Sequence, residues 1–213
     1  MRKKWLNIAL WLAVITVAYN LVEGVVSVWF GLQDSTIALL GFGVDSFVEV
    51  ISGIGILHMM FRMYRKGDDV KQHDRFERDA LRVTGTAFYL LAAGLIIGGI
   101  LKIIQGYKPD TTVVGIIIST LSILTMYFLM RYKLKAGKIL DSEAIIADAN
   151  CTRSCFYLSF ILLFSSGLYE LLDFAWLDVA GSFGIAIFAF REGKESFEKA
   201  SAKNLSCSCG SKC

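Results

Sequence analysis

Six long apolar segments dominate the sequence and restrict the kinds of fold it can adopt. They cover residues 6–30, 36–60, 80–104, 111–131, 142–168 and 174–190. A helix needs about 20 apolar residues to cross the hydrocarbon core of a bilayer, and a backbone in lipid must satisfy its own hydrogen bonds. The chain is also 55% hydrophobic, which is unusual for a soluble domain. We therefore predict an all-α membrane protein with six transmembrane helices.

Basic residues fall mainly on one side of the predicted bundle. Of the 22 lysines and arginines, three lie in residues 1–4, seven in 62–82, four in 131–138 and five after residue 190. The connections on the other side contain only Lys102 and Lys108. Because cytoplasmic loops are enriched in Lys and Arg, we expect both termini in the cytoplasm and the protein in the cell (plasma) membrane. The net charge of +3 does not indicate a nucleic-acid partner.

The chain divides into a six-helix transmembrane domain and a short tail. We place the domain at residues 1–191 and a cytoplasmic tail at 192–213. The loops and the tail leave no room for a separate cytosolic domain.

Two carboxylates one helical turn apart, Asp45 and Glu49, lie inside the second apolar segment. Ionisable side chains are costly at that depth and usually line a pathway or a binding site. We interpret the pair as part of a cation site. An ion pair or a proton relay is the alternative.

Cys151 and Cys155 repeat the same spacing of four in the fifth segment. Both pairs fall about 14–23 Å from the cytoplasmic ends of their helices, so they are expected at one level. Alone, the cysteines would be ordinary packing residues. With the carboxylates, they complete a four-ligand set that suits Zn or a softer divalent ion better than Mg, Ca or Mn.

Two weaker clusters lie outside the spans. Cys207, Cys209 and Cys213 form a Cys-x-Cys-x-x-x-Cys run that could chelate a soft metal, with lipidation or no binding role as alternatives. Asp69 and His73 are candidates for an accessory metal site, although their charged surroundings favour a solvated helix face.

The second and fifth segments resemble those of the cation diffusion facilitator family. The resemblance rests on Ser35-x-x-Ala-Leu-Leu-Gly-x-Gly-x-Asp45-Ser-x-x-Glu49 and on Ser142-x-Ala-Ile-Ile-Ala-Asp-Ala-x-Cys151-x-x-x-Cys155. It implies proton-coupled export of zinc or a related divalent metal, with Asp45, Glu49, Cys151 and Cys155 as the transport ligands. Family members carry Asp or His at the first position of each pair and Asp at the second, so Glu49 and both cysteines are departures. A short form is expected, because the family's usual C-terminal cytosolic domain, which dimerises and senses metal, is absent.

These patterns together predict a secondary transporter and not an enzyme. It would export a thiophilic divalent cation such as Zn or Cd in exchange for protons, since metal and protons compete for the same ligands. The expected partners are the metal, protons, the lipid bilayer and a second copy in a homodimer, with no nucleic acid. The alternatives are a nontransporting membrane metal-binding or sensor protein and a membrane thiol-disulfide oxidoreductase.

Overall fold

The computed structural model describes residues 2–66, 75–106, 112–141, 143–172, 174 and 176–201. These residues form six helices and no strand, so the predicted all-α class is confirmed. The helices are α1 (Arg2–Gln33), α2 (Ile37–Lys66), α3 (Arg75–Gln105), α4 (Val113–Leu140), α5 (Glu143–Leu172) and α6 (Trp176–Ser201).

Short turns connect α1 to α2 and α4 to α5. Ser35 has a φ of 56° and Asp141 a φ of 49°, both in the left-handed region that ends a helix. The backbone N–H of Asp141 returns to the carbonyls of Gly137 and Lys138, which completes the end of α4. Each turn therefore reverses the chain and lays the next helix against the previous one.

The helices pack as three pairs, α1 with α2, α4 with α5, and α3 with α6. The starts of α1 and α5 meet the ends of α2 and α4 in one apolar cluster that includes Ala9, Met60, Leu140 and Ile145. We call this end of the bundle the termini end. A larger cluster holds α2 against its other neighbours and includes Phe42, Leu95, Leu158, Leu162 and Ile185. α2 is thus the helix that joins the pairs, and it contacts α5 over a smaller interface than it shares with α1.

Five of the six helices have the length and apolarity to cross a membrane, namely α1 to α5. Their outward faces carry large apolar side chains, such as Trp11 at 67% and Leu90 at 70% exposure. α6 differs because its apolar stretch is confined between Asp178 and Arg191. It also continues to Ser201, beyond the predicted end at residue 190. The side of the membrane on which the termini lie, and the division at residue 191, stay predictions.

A buried ion pair secures the beginning of α6 at the end opposite the termini. Lys102 Nζ lies 2.9 Å from Asp178 Oδ2, and the two side chains are only 5% and 1% exposed. Asp178 also accepts hydrogen bonds from the backbone N–H groups of Ile37 and Ala38, at 3.1 and 3.2 Å. A carboxylate at a helix N-terminus satisfies otherwise unpaired N–H groups and complements the helix dipole. Asp178 therefore ties α6 and α3 to the first turn of α2.

We expect Lys102→Met to lower the free energy of unfolding by about 3–5 kcal/mol, because it leaves the Asp178 charge buried without its cation. Thermal unfolding of the purified protein in detergent measures this loss. Lys194→Met is the matched control, since Lys194 and Glu198 are 69% and 64% exposed and 3.9 Å apart. Equal unfolding temperatures for the two variants would contradict the structural role of the pair.

Candidate metal-transport site

A cavity of about 110 Å³ lies inside the termini half of the bundle. Helices α1, α2, α3, α5 and α6 all contribute to its wall. Its polar lining includes Asn20, Glu49, Cys151, Cys155, Glu192 and Lys199. Three of the four predicted transport ligands therefore face one cavity.

A hydrogen bond between Glu49 and Cys155 joins α2 to α5 at the cavity. The Cys155 thiol donates a hydrogen bond to Glu49 Oε1. On the other side, the Asn20 amide of α1 donates to Glu49 Oε2 at 2.8 Å. An amide that holds one oxygen of a carboxylate fixes its direction, as partners of metal ligands commonly do. The predicted pairing of α2 with α5 through these side chains is thus present.

Cys151 lies one turn from Cys155 along α5 and has a different partner. Lys199 Nζ, from α6, lies 3.7 Å from Cys151 Sγ. Cys151 is half-buried in the cavity wall, whereas Cys155 is 5% exposed. The two thiols are therefore held by opposite kinds of group, a carboxylate and an ammonium.

Asp45 lies one turn from Glu49 along α2, is 2% exposed and is not among the residues lining the cavity. Its Oδ1 has no hydrogen-bond partner among the described residues. Within that part of the chain, no three histidine, cysteine, aspartate or glutamate side chains lie close enough together to hold one metal ion. The structure thus brings Glu49 and Cys155 together, places Cys151 in the same cavity and leaves Asp45 buried one turn away, outside the cavity lining. The complete four-ligand set stays a prediction.

Acidic groups from two other helices lie near this site. Asp45 is within electrostatic range of Glu23 on α1 and Glu192 on α6, and so is Glu49. Ser46 donates to Glu23 at 3.1 Å, and Ser154 donates to Glu192 at 2.8 Å. Carboxyl groups that influence one another inside an apolar bundle favour bound cations or protons.

Sequence reasoning missed the parts played by Asn20, Glu192 and Lys199. Glu192 and Lys199 lie beyond the predicted end of the last span and were assigned to the tail. One sequence signal could have placed them in a helix, since small residues recur on one face at Ala189, Gly193, Ser196 and Ala200, all buried. The tail cysteines Cys207, Cys209 and Cys213 and the accessory candidates Asp69 and His73 lie outside the described residues.

Asp148 also lines the cavity, but it already has a cation partner. Lys133 Nζ lies 2.9 Å from Asp148 Oδ1 and also donates to Thr152 Oγ1 at 3.0 Å. Lys133 is only 1% exposed, so this basic residue pairs α4 with α5 inside the bundle instead of facing the membrane surface.

Comparison with known proteins identifies the family of this chain. The model of the cation efflux transmembrane domain matches residues 8–202. The chain belongs to the cation efflux family. An uncharacterized transporter of Methanocaldococcus jannaschii is 28% identical to this family member over 145 residues, which is 66% of the chain and 50% of the relative. The chain thus spans about half the length of this curated relative. The match supports the resemblance drawn from the second and fifth segments.

The two site cysteines of this cation efflux protein should react differently with a water-soluble maleimide. We expect Cys151 to be labelled before Cys155, because Cys151 is half-buried in the cavity wall and Cys155 is buried. Peptide mapping by mass spectrometry separates both from the tail cysteines, and Cys151→Ser identifies the early product. If Cys155 were labelled as fast as Cys151, the described difference in exposure between the two thiols would be wrong.

Proposed function

We propose that this protein exports a thiophilic divalent cation, such as Zn or Cd, from the cytoplasm in exchange for protons. The observation that carries the proposal is the Glu49–Cys155 contact, which joins α2 to α5 beside a cavity inside an apolar bundle. Family membership supports cation transport as the general activity. The transported ion would be bound by Asp45, Glu49, Cys151 and Cys155.

The donor set supports the choice of metal. Carboxylate oxygen alone would suit hard ions, while thiolate sulfur favours Zn, Cd and softer ions. Cys155 already touches Glu49, so an ion placed there would meet both donor types. Hard divalent ions would gain little from the sulfur.

Competition between metal and protons supports exchange. The Cys155 thiol carries a proton that it shares with Glu49 in a hydrogen bond. A divalent ion binds a thiolate and a carboxylate, so its arrival must release that proton. Protons arriving from the opposite side would return to the same groups and displace the ion.

The modest interface between α2 and α5 supports movement at the site. Each of these helices shares a larger interface with a neighbour, α1 or α4, so the pairs can shift against one another as units. Such a shift would change the distances from Asp45 and Glu49 on α2 to the two cysteines on α5, and could bring all four side chains around one ion. Alternating exposure of a site between helix units is common in secondary transporters.

The thiol oxidoreductase alternative gains no support from the geometry. α5 is a continuous helix across Cys151 and Cys155, and their sulfurs contact Lys199 and Glu49 respectively. A disulfide between them would require both contacts to break. Cytoplasmic termini, the plasma membrane, a homodimer and a metal-binding tail remain part of the proposal on the strength of the sequence alone.

We expect Glu49→Gln and Cys155→Ala each to reduce proton-gradient-driven Zn or Cd uptake into proteoliposomes by at least tenfold, because each removes one side of the α2–α5 contact. A metal-sensitive dye inside the vesicles measures uptake, and a pH dye records the protons that leave. Glu198→Gln is the control, since Glu198 is 64% exposed on α6. Full uptake by both site variants would reject the proposal, and metal binding by the wild type without flux would favour the nontransporting sensor.

Replacing sulfur by oxygen should change the preferred ion. We expect Cys155→Asp to lower the ratio of Cd to Mn transport by about tenfold, because oxygen ligands suit Mn and thiolates suit Cd. Uptake of each ion from an equimolar mixture, measured by elemental analysis of the vesicles, tests this. An unchanged ratio would mean that Cys155 does not bind the transported ion.

A further inference from the structure

The last turns of α6 carry two lysine–glutamate pairs in very different surroundings. Lys194 and Glu198 are 3.9 Å apart, and both side chains are more than 60% exposed. Lys199 and Glu195 are 3.1 Å apart, with exposures of only 12% and 25%. The first pair is a surface pair of little energetic consequence. The second pair is largely buried, and its lysine lines the cavity.

The Lys199 ammonium lies near both a thiol and a carboxylate. Its Nζ lies 3.7 Å from Cys151 Sγ on α5 and 3.1 Å from Glu195 Oε1 on its own helix. Its side chain lines the cavity that also contains Glu49, Cys155 and Glu192. The ammonium is therefore a cation already present beside a proposed metal ligand.

We propose that the Lys199 ammonium is an internal cation that holds the place of the metal at Cys151 and is displaced when a divalent ion enters. This inference rests on the proposed function, because it assumes that Cys151 binds the transported ion. A monovalent and a divalent cation cannot share one sulfur at contact distance without strong repulsion. Metal binding at Cys151 therefore requires Lys199 to move away.

Glu195 supplies the position to which Lys199 retreats. Lysine carries its charge on a flexible four-carbon stem, so a small rotation can break the contact with sulfur while the ion pair remains. Glu195 is part of the same helix, one turn earlier, and stays within reach throughout. The lysine thus has a partner in both the metal-free and the metal-bound state.

The same exchange would help the ion to leave. When the metal moves off Cys151, the ammonium can return to the sulfur and oppose rebinding from the termini side. With Lys199 present, the site would bind metal less tightly than the same thiols and carboxylates would without the lysine. Release of the ion, and therefore turnover, would be faster. Loss of the lysine charge should therefore tighten binding and slow transport together.

The test measures Co²⁺ binding and Zn transport by Lys199→Met. Co²⁺ reports directly on sulfur ligation through its thiolate charge-transfer absorption. We expect the Kd for Co²⁺ to fall by about tenfold, with a lower KM and a severalfold lower maximal rate of Zn transport. Lys199→Arg keeps the charge and should bind Co²⁺ less tightly than Lys199→Met, and the exposed Lys194→Met is the matched control. Elution as a single species in size-exclusion chromatography confirms folding of each variant.

A double variant shows whether the lysine acts through Cys151. In a Cys151→Ser background, Lys199→Met should no longer tighten Co²⁺ binding, because the shared sulfur is gone. Suppose that the wild type binds and transports metal, but Lys199→Met binds Co²⁺ no more tightly than the wild type does. That result overturns the internal-cation proposal and leaves the proposed function intact. Tightening that persists without Cys151 overturns it as well. A wild type that binds metal but transports none rejects the proposed function and, with it, the part of Lys199 in transport. A wild type that binds no metal rejects both proposals entirely.

Discussion

The contact between Glu49 and Cys155 is the interaction on which the rest of the site depends. It places a carboxyl group and a thiol together inside an apolar bundle, where neither group can be ionised cheaply without a cation. Asn20 orients the carboxylate from α1, and a cavity of about 110 Å³ lies beside both groups. This hydrogen bond is therefore where the proposed competition between metal and proton would take place.

Two other buried carboxylates of the bundle are paired with buried lysines. Asp178 is matched by Lys102 and by the first turn of α2, and Asp148 is matched by Lys133. Both aspartates have a fixed cation, so they secure neighbouring helices and are poor candidates for ligands. Asp45 and Glu49 instead lie near the acidic Glu23 and Glu192. The acids that secure helices thus differ from the acids of the proposed site in having a lysine of the protein as counter-ion.

Cys151 falls between these two classes. Its sulfur has a cation from the protein, Lys199, but that cation is held on a flexible stem and has a second partner in Glu195. If Cys151 binds the transported ion as proposed, its sulfur would be available to metal when Lys199 moves away and protected when Lys199 returns. α6 therefore contributes to the site although it supplies none of the four predicted ligands.

The sequence by itself determined the membrane class, the number of helices and the family, because long apolar runs and closely spaced motifs report local properties of the chain. It also predicted Glu49 and Cys155 as site residues, since ionisable groups and thiols at helical spacing are visible without a fold, and the structure places these two side chains in contact. Only the tertiary structure decided that α6 continues to Ser201 and brings Glu192 and Lys199 to the cavity, because hydropathy falls at Arg191 while the helix does not end there. It likewise decided that Lys133 and Asp148 neutralise each other and that Asp45 lies apart from the cavity. Those outcomes depend on how separate helices are rotated and packed against one another, which spacing along one helix does not specify.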